Sequence, residues 1–318
     1  MFLQLWIGRH PYAPLVRRAR KPRSPSSRPI ACGLMDTSEA HAPPGPRDPV
    51  PPTWLQLAER VAGAGASVVQ RYFRQPDLAV VRKADDTPVT AADREAEQAM
   101  RELIAREAPE RMRRVLGEEG GGDDSDHATT DGDYLWVLDP IDGTKAFLGG
   151  KPTFTTLVAL VRQREPVLGV LLQPITGECW TGAHGHATRM NGQAVQANRR
   201  RAQLRDAILC ATTPHMFAGV DRERFFDGLV PRVWHTLYGC DAYGYALLAS
   251  GWVDMVAEAD LKPWDFLALA PIVQGAGGVI TDWHGAPLRL HSDGRVLAAA
   301  TVTLHEEALQ ALRHPRNP

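Results

Sequence analysis

A short apolar run, residues 135–138, leads directly into Asp139 and, three residues later, Asp142. A run of this kind predicts a buried strand, so the two carboxylates lie where the strand ends. Gly143 and Thr144 follow at once, and this pair suits a tight turn whose backbone N–H groups can face a phosphate. The segment LWVLDPIDGT therefore predicts a buried strand that ends in a polar site.

The two aspartates have the chemistry of a magnesium site. Hard divalent cations such as Mg2+ take oxygen ligands and usually keep several waters. A carboxylate pair beside a phosphate-binding turn therefore favours metal-assisted phosphoryl chemistry. Pro140 fixes the backbone between the acids and has no N–H, which leaves the Ile141 carbonyl available as a further ligand. The alternative is a surface turn, because Asp, Pro, Gly and Thr are ordinary turn residues.

Two further acids stand in positions from which they could reach the same metal. Glu118 follows a short apolar stretch, residues 114–116, and would lie at the end of a strand. The alternative for Glu118 is a solvated acidic turn before the polar residues 120–126. Asp265 follows Pro263 at the start of a helix predicted to run to Gly275, where an acid is also an ordinary cap or dipole partner.

Taken in order, Glu118, the pair Asp139 and Asp142, and Asp265 resemble the inositol-monophosphatase superfamily of Mg2+-dependent, lithium-sensitive phosphatases. The resemblance runs over residues 54–312 and includes the upstream segment 81–93. It implies an α/β fold, a layered α-β-α-β-α sandwich of the inositol-monophosphatase/fructose-bisphosphatase type, commonly found as a homodimer. Periodicity alone predicts only a mixed α/β chain.

The resemblance also implies roles for single residues. Two Mg2+ ions, with a third, weaker ion near Glu118, would be held by four side chains and one carbonyl: Glu118, Asp139, Asp142, Asp265 and the carbonyl of Ile141. Glu118 also counts among the catalytic residues. Gly143 and Thr144 would donate backbone N–H groups to the substrate phosphate. The Thr144 hydroxyl, paired with Asp93, would orient the metal-bound water that attacks phosphorus, with no covalent intermediate. From the residues alone, Thr90 to Asp93 also predicts an ordinary helix start.

The substrate depends on residues outside this metal core. The segment 237–251, which contains Asp241, resembles the histidinol-phosphatase branch of bacteria and plants. Histidinol phosphate carries an ammonium and an imidazole, and Asp241 with Glu258 would supply acidic partners for them. Asp241 could equally cap a helix over residues 242–250. Lys83 either reaches the phosphate or is solvated. Inositol monophosphate and nucleotide 3′-phosphates stay open as substrates, as does a regulatory or RNA-associated role.

The charge of the chain is unevenly distributed. The net charge is −1, but the first 35 residues hold seven basic residues and no acid. The remainder is therefore acidic, which argues against nucleic acid as the main partner. No apolar run approaches 18 residues, so no transmembrane helix is expected. The four cysteines show no metal-binding spacing and suit a reducing compartment.

Residues 1–52 are predicted to be a disordered, basic and Pro-rich extension, and residues 53–318 a catalytic domain. The basic segment suits an organellar transit peptide or an upstream over-extension of the reading frame. We favour the second interpretation, with Met35 as the start and a cytoplasmic location. In the catalytic domain, periodicity predicts helices at 57–72, 91–106, 242–250 and after Leu304, strands at 155–162, 166–173, 180–183, 207–211, near Met255 and at 279–282, and a hairpin turn at Asn191-Gly192.

Overall fold

The structure is a computed structural model that describes residues 49–76, 80–82, 88–122 and 134–315. Most of the predicted extension, residues 1–48, and the candidate phosphate contact Lys83 lie outside the described residues. The division into an extension and a catalytic domain therefore stays a prediction. Near its boundary, Val50 is buried and its N–H donates to the His184 carbonyl at 3.1 Å, so the chain already packs against the domain two residues before 52.

The described chain contains eight α-helices and fifteen strands. The helices are α1 (Pro52–Tyr72), α2 (Ala91–Glu107), α3 (Thr144–Leu148), α4 (Gly219–Glu223), α5 (Tyr243–Ala249), α6 (Pro263–Phe266), α7 (Leu269–Gly275) and α8 (Val302–Arg313). The strands are β1 (Val80–Arg82), β2 (Pro88–Thr90), β3 (Arg114–Gly117), β4 (Gly121–Gly122), β5 (Tyr134–Asp142), β6 (Thr155–Arg162), β7 (Glu165–Gln173), β8 (Glu178–Ala183), β9 (Arg189–Met190), β10 (Gln193–Ala194), β11 (Ile208–Ala211), β12 (His235–Tyr238), β13 (Met255–Glu258), β14 (Val279–Thr281) and β15 (Val296–Ala299).

The strands form two main sheets that are stacked with helices. One sheet has eight strands in the order β10-β9-β8-β7-β6-β5-β3-β4, and the other has five in the order β12-β11-β13-β15-β14. Helices α1 and α2 pack on one face of the larger sheet, α5 to α7 lie between the sheets, and α8 packs on the smaller sheet. This is a layered α-β-α-β-α sandwich, so the predicted fold class is confirmed. Among the described helices, none combines the length and apolarity needed to cross a membrane.

Strand β5 shows how the larger sheet supplies two hydrophobic cores. Its side chains alternate, as pleating requires. Leu135 and Val137 pack in the core between the two sheets. Trp136 and Leu138 pack in the core under α1 and α2. All four are at most 3% exposed, so both faces of β5 are covered and the prediction of a buried strand is correct.

One predicted helix is interrupted. The sequence predicts a single helix from Pro263 to Gly275, but the structure has α6 and α7 with a break at residues 267–268. Pro271 lies four residues after Leu267 and has no N–H, so the Leu267 carbonyl cannot receive the usual helical hydrogen bond. Periodicity also missed β12, β15 and the π-helix Arg224–Leu229, whereas the helices α1, α2, α5 and α8 and the strand pair β6–β7 are confirmed.

Candidate active site

A cavity of about 230 Å³ lies where β3, β5, β13 and α6 meet. The acids that line it come from five separate segments of the chain: Glu118, Asp139, Asp142, Asp241, Glu258 and Asp265. Ile141, Gly143 and Thr144 line the same cavity, and Met216, Leu261 and Leu269 add apolar walls. The structure therefore brings nine of the residues singled out in the sequence to one place.

Three of the carboxylates form a compact group. One oxygen each from Asp139, Asp142 and Asp265 lies within 4.8 Å of the other two. Burial and the neighbouring charges of Glu118 and Asp142 raise the pKa of Asp139 well above its usual range. Burial likewise raises the pKa of Asp142, together with the charges of Asp241 and Asp265. In this group, burial and the neighbouring carboxylates therefore disfavour the ionised form of each acid.

A bulge in β5 places Asp139 and Asp142 on the same side of the sheet. Residues three apart on a regular strand point to opposite faces. Here Asp139 is paired with Leu157 and Asp142 with Thr155, so three steps along β5 correspond to two along β6. The extra residue shifts the alternation by one. The Ile141 N–H donates to Asp139 Oδ1 at 2.9 Å and helps to fix the bulge.

Glu118 and Asp265 reach the group from two other elements. Glu118 follows β3, which pairs in parallel with β5, and its N–H donates to the Leu138 carbonyl at 3.2 Å. Asp265 lies in α6, and its Oδ2 accepts the Lys262 N–H at 2.7 Å. Burial raises the pKa of Asp265 to about 7, although that hydrogen bond by itself lowers the pKa. Asp265 is therefore a helix cap that also faces the acidic group.

Asp93 and Thr144 do not form the hydrogen bond that the resemblance implied. The Thr144 hydroxyl donates to the Ile141 carbonyl at 3.2 Å, because that carbonyl is within reach one turn earlier. Asp93 Oδ2 instead accepts from the Thr90 N–H at 2.8 Å and the Thr90 hydroxyl at 2.6 Å, which confirms the predicted helix start. Asp93 Oδ1 is buried and has no hydrogen-bond partner among the described residues.

Asp241 lies against Gly143 and does not cap α5. The N-cap of α5 is Ala242, and no side chain caps it, so the capping alternative is wrong. Asp241 has a φ of +49° and accepts a hydrogen bond from the Thr153 hydroxyl at 3.3 Å. The next N–H, that of Ala242, donates to Asp142 Oδ2 at 2.7 Å. The loop that carries Asp241 is therefore tied directly to a carboxylate of the compact group.

Glu258 is anchored from both sides. Its Oε1 accepts the Thr212 N–H at 2.8 Å and its Oε2 accepts the Tyr245 hydroxyl at 3.0 Å. Burial raises the pKa of Glu258 to about 7, although both hydrogen bonds oppose that shift. Each carboxylate oxygen has a second lone pair, so Glu258 can still accept from a ligand in the cavity.

Sequence reasoning missed the basic residues around Asp241. Burial raises the pKa of Asp241, and the charges of Lys151 and Lys145 and the Thr153 hydrogen bond counteract that rise. Lys145 also lines the cavity. In the sequence, the position of Lys145 directly after Thr144 was the signal that could have indicated a place in the site. Lys151 and Thr153 lie in the connection before β6, where no periodic pattern marks a side chain as part of a site.

The sequence profile of the inositol monophosphatase family matches residues 52–316. The chain belongs to the inositol monophosphatase family. Members of this family are metal-dependent phosphatases.

Proteins similar to this inositol monophosphatase family member are named for different substrates. The chain is 42% identical over 263 residues to the bifunctional phosphatase IMPL2, chloroplastic, of Arabidopsis thaliana, covering 80% of this chain and 74% of that protein. It is 33% identical to a histidinol-phosphatase of Chlorobaculum parvum, covering 77% of this chain and 91% of that protein. An inositol monophosphatase structure from Zymomonas mobilis superposes with a TM-score of 0.72 at 41% identity, covering 82% and 98% of the two chains.

The donor atoms fit the metal that inositol monophosphatase family members use. Every side chain in the compact group offers carboxylate oxygen, the ligand that Mg2+ prefers, and no cysteine or histidine is among the described residues that line the cavity. A divalent cation would also offset the charge repulsion that raises the carboxyl pKa values of Asp139 and Asp142.

Gly143 allows a close contact that an alanine would disturb. Its φ is +82°, and a Cβ there would lie 2.8 Å from Asp241 Cγ. We expect Gly143→Ala to lower the free energy of unfolding by about 1–2 kcal/mol and kcat/KM at least about tenfold, because the turn and Asp241 must both shift. Thermal unfolding and phosphate release measure the two effects.

Gly177→Ala is the matched control for this prediction. Gly177 has a φ of +71°, but no atom lies within 4 Å of the position of its Cβ. It should show the cost of the backbone conformation without a change in kcat/KM. Equal activity in both alanine variants would contradict a role for the contact between Gly143 and Asp241.

Proposed function

We propose that the chain is a Mg2+-dependent phosphomonoesterase that hydrolyses L-histidinol phosphate to L-histidinol and phosphate. The observation that carries the proposal is the position of Asp241 and Glu258 in the same cavity as the compact group of Asp139, Asp142 and Asp265. One set of acids suits the metal ions that would bind the phosphate, and the other suits a cationic leaving group. The histidinol-phosphatase relative supports the same assignment.

The metal set is proposed as two Mg2+ ions, with a third, weaker ion near Glu118. The residues that would hold them are Glu118, Asp139, Asp142, Asp265 and the carbonyl of Ile141. When bound, such ions lower the pKa of water and neutralise charge on the transferring phosphoryl group. The Thr144 hydroxyl hydrogen-bonds to the Ile141 carbonyl, so it is one contact away from this proposed set.

Groups of the protein itself are proposed to bind the phosphate and to accept a proton. Thr144 is the first residue of α3, so its N–H has no acceptor within the helix and is available to a phosphate oxygen together with that of Gly143. Asp93 does not line the cavity, but its charge interacts with that of Glu118, which does. Its Oδ1 is buried and unpaired among the described residues, and we propose that it accepts a proton from the attacking water. Burial raises the pKa of Asp93, which suits a proton acceptor better than an ordinary aspartate does.

Charge is the proposed basis of substrate choice. Histidinol phosphate presents an ammonium and an imidazole, whereas inositol presents only neutral hydroxyls. A hydrogen bond to a charged group contributes about 1.5–3 kcal/mol, roughly a 10- to 100-fold preference for each good contact. Asp241 is 9% exposed and Glu258 is 2% exposed, so bulk water screens their charge little.

Inositol 1-phosphate is the second candidate substrate, and it is favoured by the 41% identity to a structure described as an inositol monophosphatase. A nucleotide 3′-phosphate is a further alternative. A regulatory or RNA-associated role is not favoured, because the acids of a metal-dependent phosphatase stand together in one cavity.

The test compares phosphate release by the full chain with Mg2+ from histidinol phosphate, inositol 1-phosphate and adenosine 3′,5′-bisphosphate. We expect kcat/KM for histidinol phosphate to exceed the others by about 100-fold, or about 2.7 kcal/mol in the transition state. Asp241→Asn keeps an oxygen that accepts from Thr153 but removes the charge. It should lower kcat/KM for histidinol phosphate about 10- to 100-fold and leave inositol 1-phosphate within about threefold.

Asp227→Asn is the control, since Asp227 is exposed and does not line the cavity. Comparable turnover of all three esters would rule out the histidinol assignment and leave a metal-dependent phosphatase. A preference that survives in Asp241→Asn would move the source of selectivity to other residues.

We propose a cytoplasmic homodimer, with an organelle as the alternative location. The alternative draws support from the basic residues 1–35 and from the relative named chloroplastic.

A further inference from the structure

Glu97 is a buried carboxylate that no predicted role includes. It lies on α2 four residues after Asp93, so the two acids share one face of the helix. Asp93 is 1% exposed and Glu97 is 2% exposed. A buried carboxylate is costly unless hydrogen bonds and opposite charge compensate it, so its partners indicate what it does.

The partners of Glu97 are the two residues that directly follow Glu118. Glu97 Oε2 accepts the Glu119 N–H at 2.8 Å, and Oε1 accepts the Gly120 N–H at 2.9 Å. Arg101, one turn further along α2, donates its Nε–H to Oε1 at 2.7 Å and compensates the charge. Each oxygen therefore binds one of two consecutive backbone N–H groups, which fixes the orientation of the turn as well as its distance from α2.

The residue before Glu118 also packs on this carboxylate. A Cβ added to Gly117 would lie 2.3 Å from Glu97 Oε1, and a Cβ added to Gly120 would lie 2.8 Å from the same atom. Glu97 thus contacts the backbone on both sides of Glu118. The turn, residues 117–120, rests against Glu97 while the Glu118 side chain lines the cavity.

We propose that Glu97 is a positioning residue that holds the turn 117–120 so that the Glu118 carboxylate faces Asp139. This inference rests on the proposed metal role of Glu118. It adds that a single helix places two parts of the site, Asp93 at its first turn and Glu118 through Glu97. Metal affinity should then depend on a carboxylate that is not itself a ligand, as is common for outer-shell partners of metal sites.

The test is Glu97→Gln, which keeps the size of the side chain but replaces one accepting oxygen with an NH2 group. In the metal-free full chain, we expect amide hydrogen exchange at Glu119 and Gly120 to accelerate at least about tenfold. Calorimetric titration should show Mg2+ affinity lowered about 10- to 100-fold. Turnover of histidinol phosphate should need correspondingly more Mg2+, with kcat at saturating Mg2+ within about threefold of the wild type.

Glu102→Gln is the matched control, because Glu102 lies on the same helix, is exposed and only accepts a hydrogen bond from Gln98. It should leave exchange, Mg2+ affinity and turnover unchanged. Unchanged amide exchange and Mg2+ affinity in Glu97→Gln would overturn the proposal.

Gly117→Ala tests the same contact without changing the charge, in case Glu97→Gln folds poorly. The new methyl group would displace the Glu97 carboxylate, so Mg2+ affinity should fall in the same direction. Gly63→Ala on α1, where no atom lies within 4 Å of the added Cβ, is its control. Wild-type Mg2+ affinity in a folded Gly117→Ala protein would also overturn the proposal.

The proposed function and the role of Glu97 fail in different ways. A wild-type protein without Mg2+-dependent turnover would refute the function, whatever the exchange rates of the turn. If the wild type is active but Glu97→Gln changes neither the Mg2+ affinity nor the amide exchange of the turn, only the positioning role is refuted.

Discussion

Asp139→Asn should lower turnover at saturating Mg2+ by at least about 1,000-fold, or about 4 kcal/mol in the transition state. Asp139 is 1% exposed, and the charges of Glu118, Asp142 and Asp265 all act on its carboxylate. It is among the residues proposed to hold the ions, and an amide has only one oxygen and no charge to do so. Phosphate release measured from low to saturating Mg2+ checks the loss.

The same substitution should leave the fold intact. The Asn side chain keeps the oxygen that accepts the Ile141 N–H. Because burial and like charges raise the pKa of Asp139, its ionised form destabilises the metal-free protein, and the neutral amide removes that cost. Thermal unfolding in a chelator at pH 8 should therefore show an unfolding temperature equal to or above the wild-type value. Substantial turnover in Asp139→Asn would refute the metal-holding role proposed for Asp139, and Asp227→Asn serves as the control.

The metal-free protein should lose stability as the pH rises from about 5 to 8. Glu258 and Asp265 have pKa values raised to about 7, mainly by burial, so the folded chain binds more protons than the unfolded chain between pH 4 and 7. Stability then falls with rising pH and levels off above the folded pKa values. For Glu258, a shift from 4.5 to about 7 corresponds to roughly 3 kcal/mol.

Urea unfolding in a chelator at several pH values measures this slope. Mg2+ competes with protons for carboxylates, so it should stabilise the protein more at pH 8 than at pH 5.5. Glu258→Gln should flatten the slope in the metal-free protein, and Glu306→Gln, at an exposed position on α8, should not. A metal-free stability that is constant or rises over this range would contradict the raised pKa values.

The parts of the site that the sequence could predict are those that depend on a short, local pattern of residues. The apolar run before Asp139 predicted a buried strand, and the Thr90–Asp93 spacing predicted a helix start. The resemblance of the ordered acids to the inositol monophosphatase family implied a common site, and the structure brings Glu118, Asp139, Asp142 and Asp265 to one cavity.

The remainder depends on contacts between distant segments. Glu97 reads as one more polar residue on a helix surface until the turn 117–120 packs on it. The hydrogen bond from Thr144 to the Ile141 carbonyl depends on the bulge in β5, which no local pattern of side chains specifies. The break between α6 and α7 could have been predicted, since Pro271 was visible in the sequence.

If Asp142 holds an ion and Asp241 contacts the substrate, as proposed, the hydrogen bond from the Ala242 N–H to Asp142 couples ion binding to substrate choice. Asp241 precedes Ala242, so a ligand that pulls on Asp241 also acts on a carboxylate of the compact group. By linkage, any factor by which Mg2+ tightens the binding of an ester must equal the factor by which that ester tightens Mg2+. An ester that binds Asp241 well would thus raise the affinity of the site for Mg2+. An ester that binds Asp241 weakly would leave the Mg2+ occupancy lower at the same Mg2+ concentration.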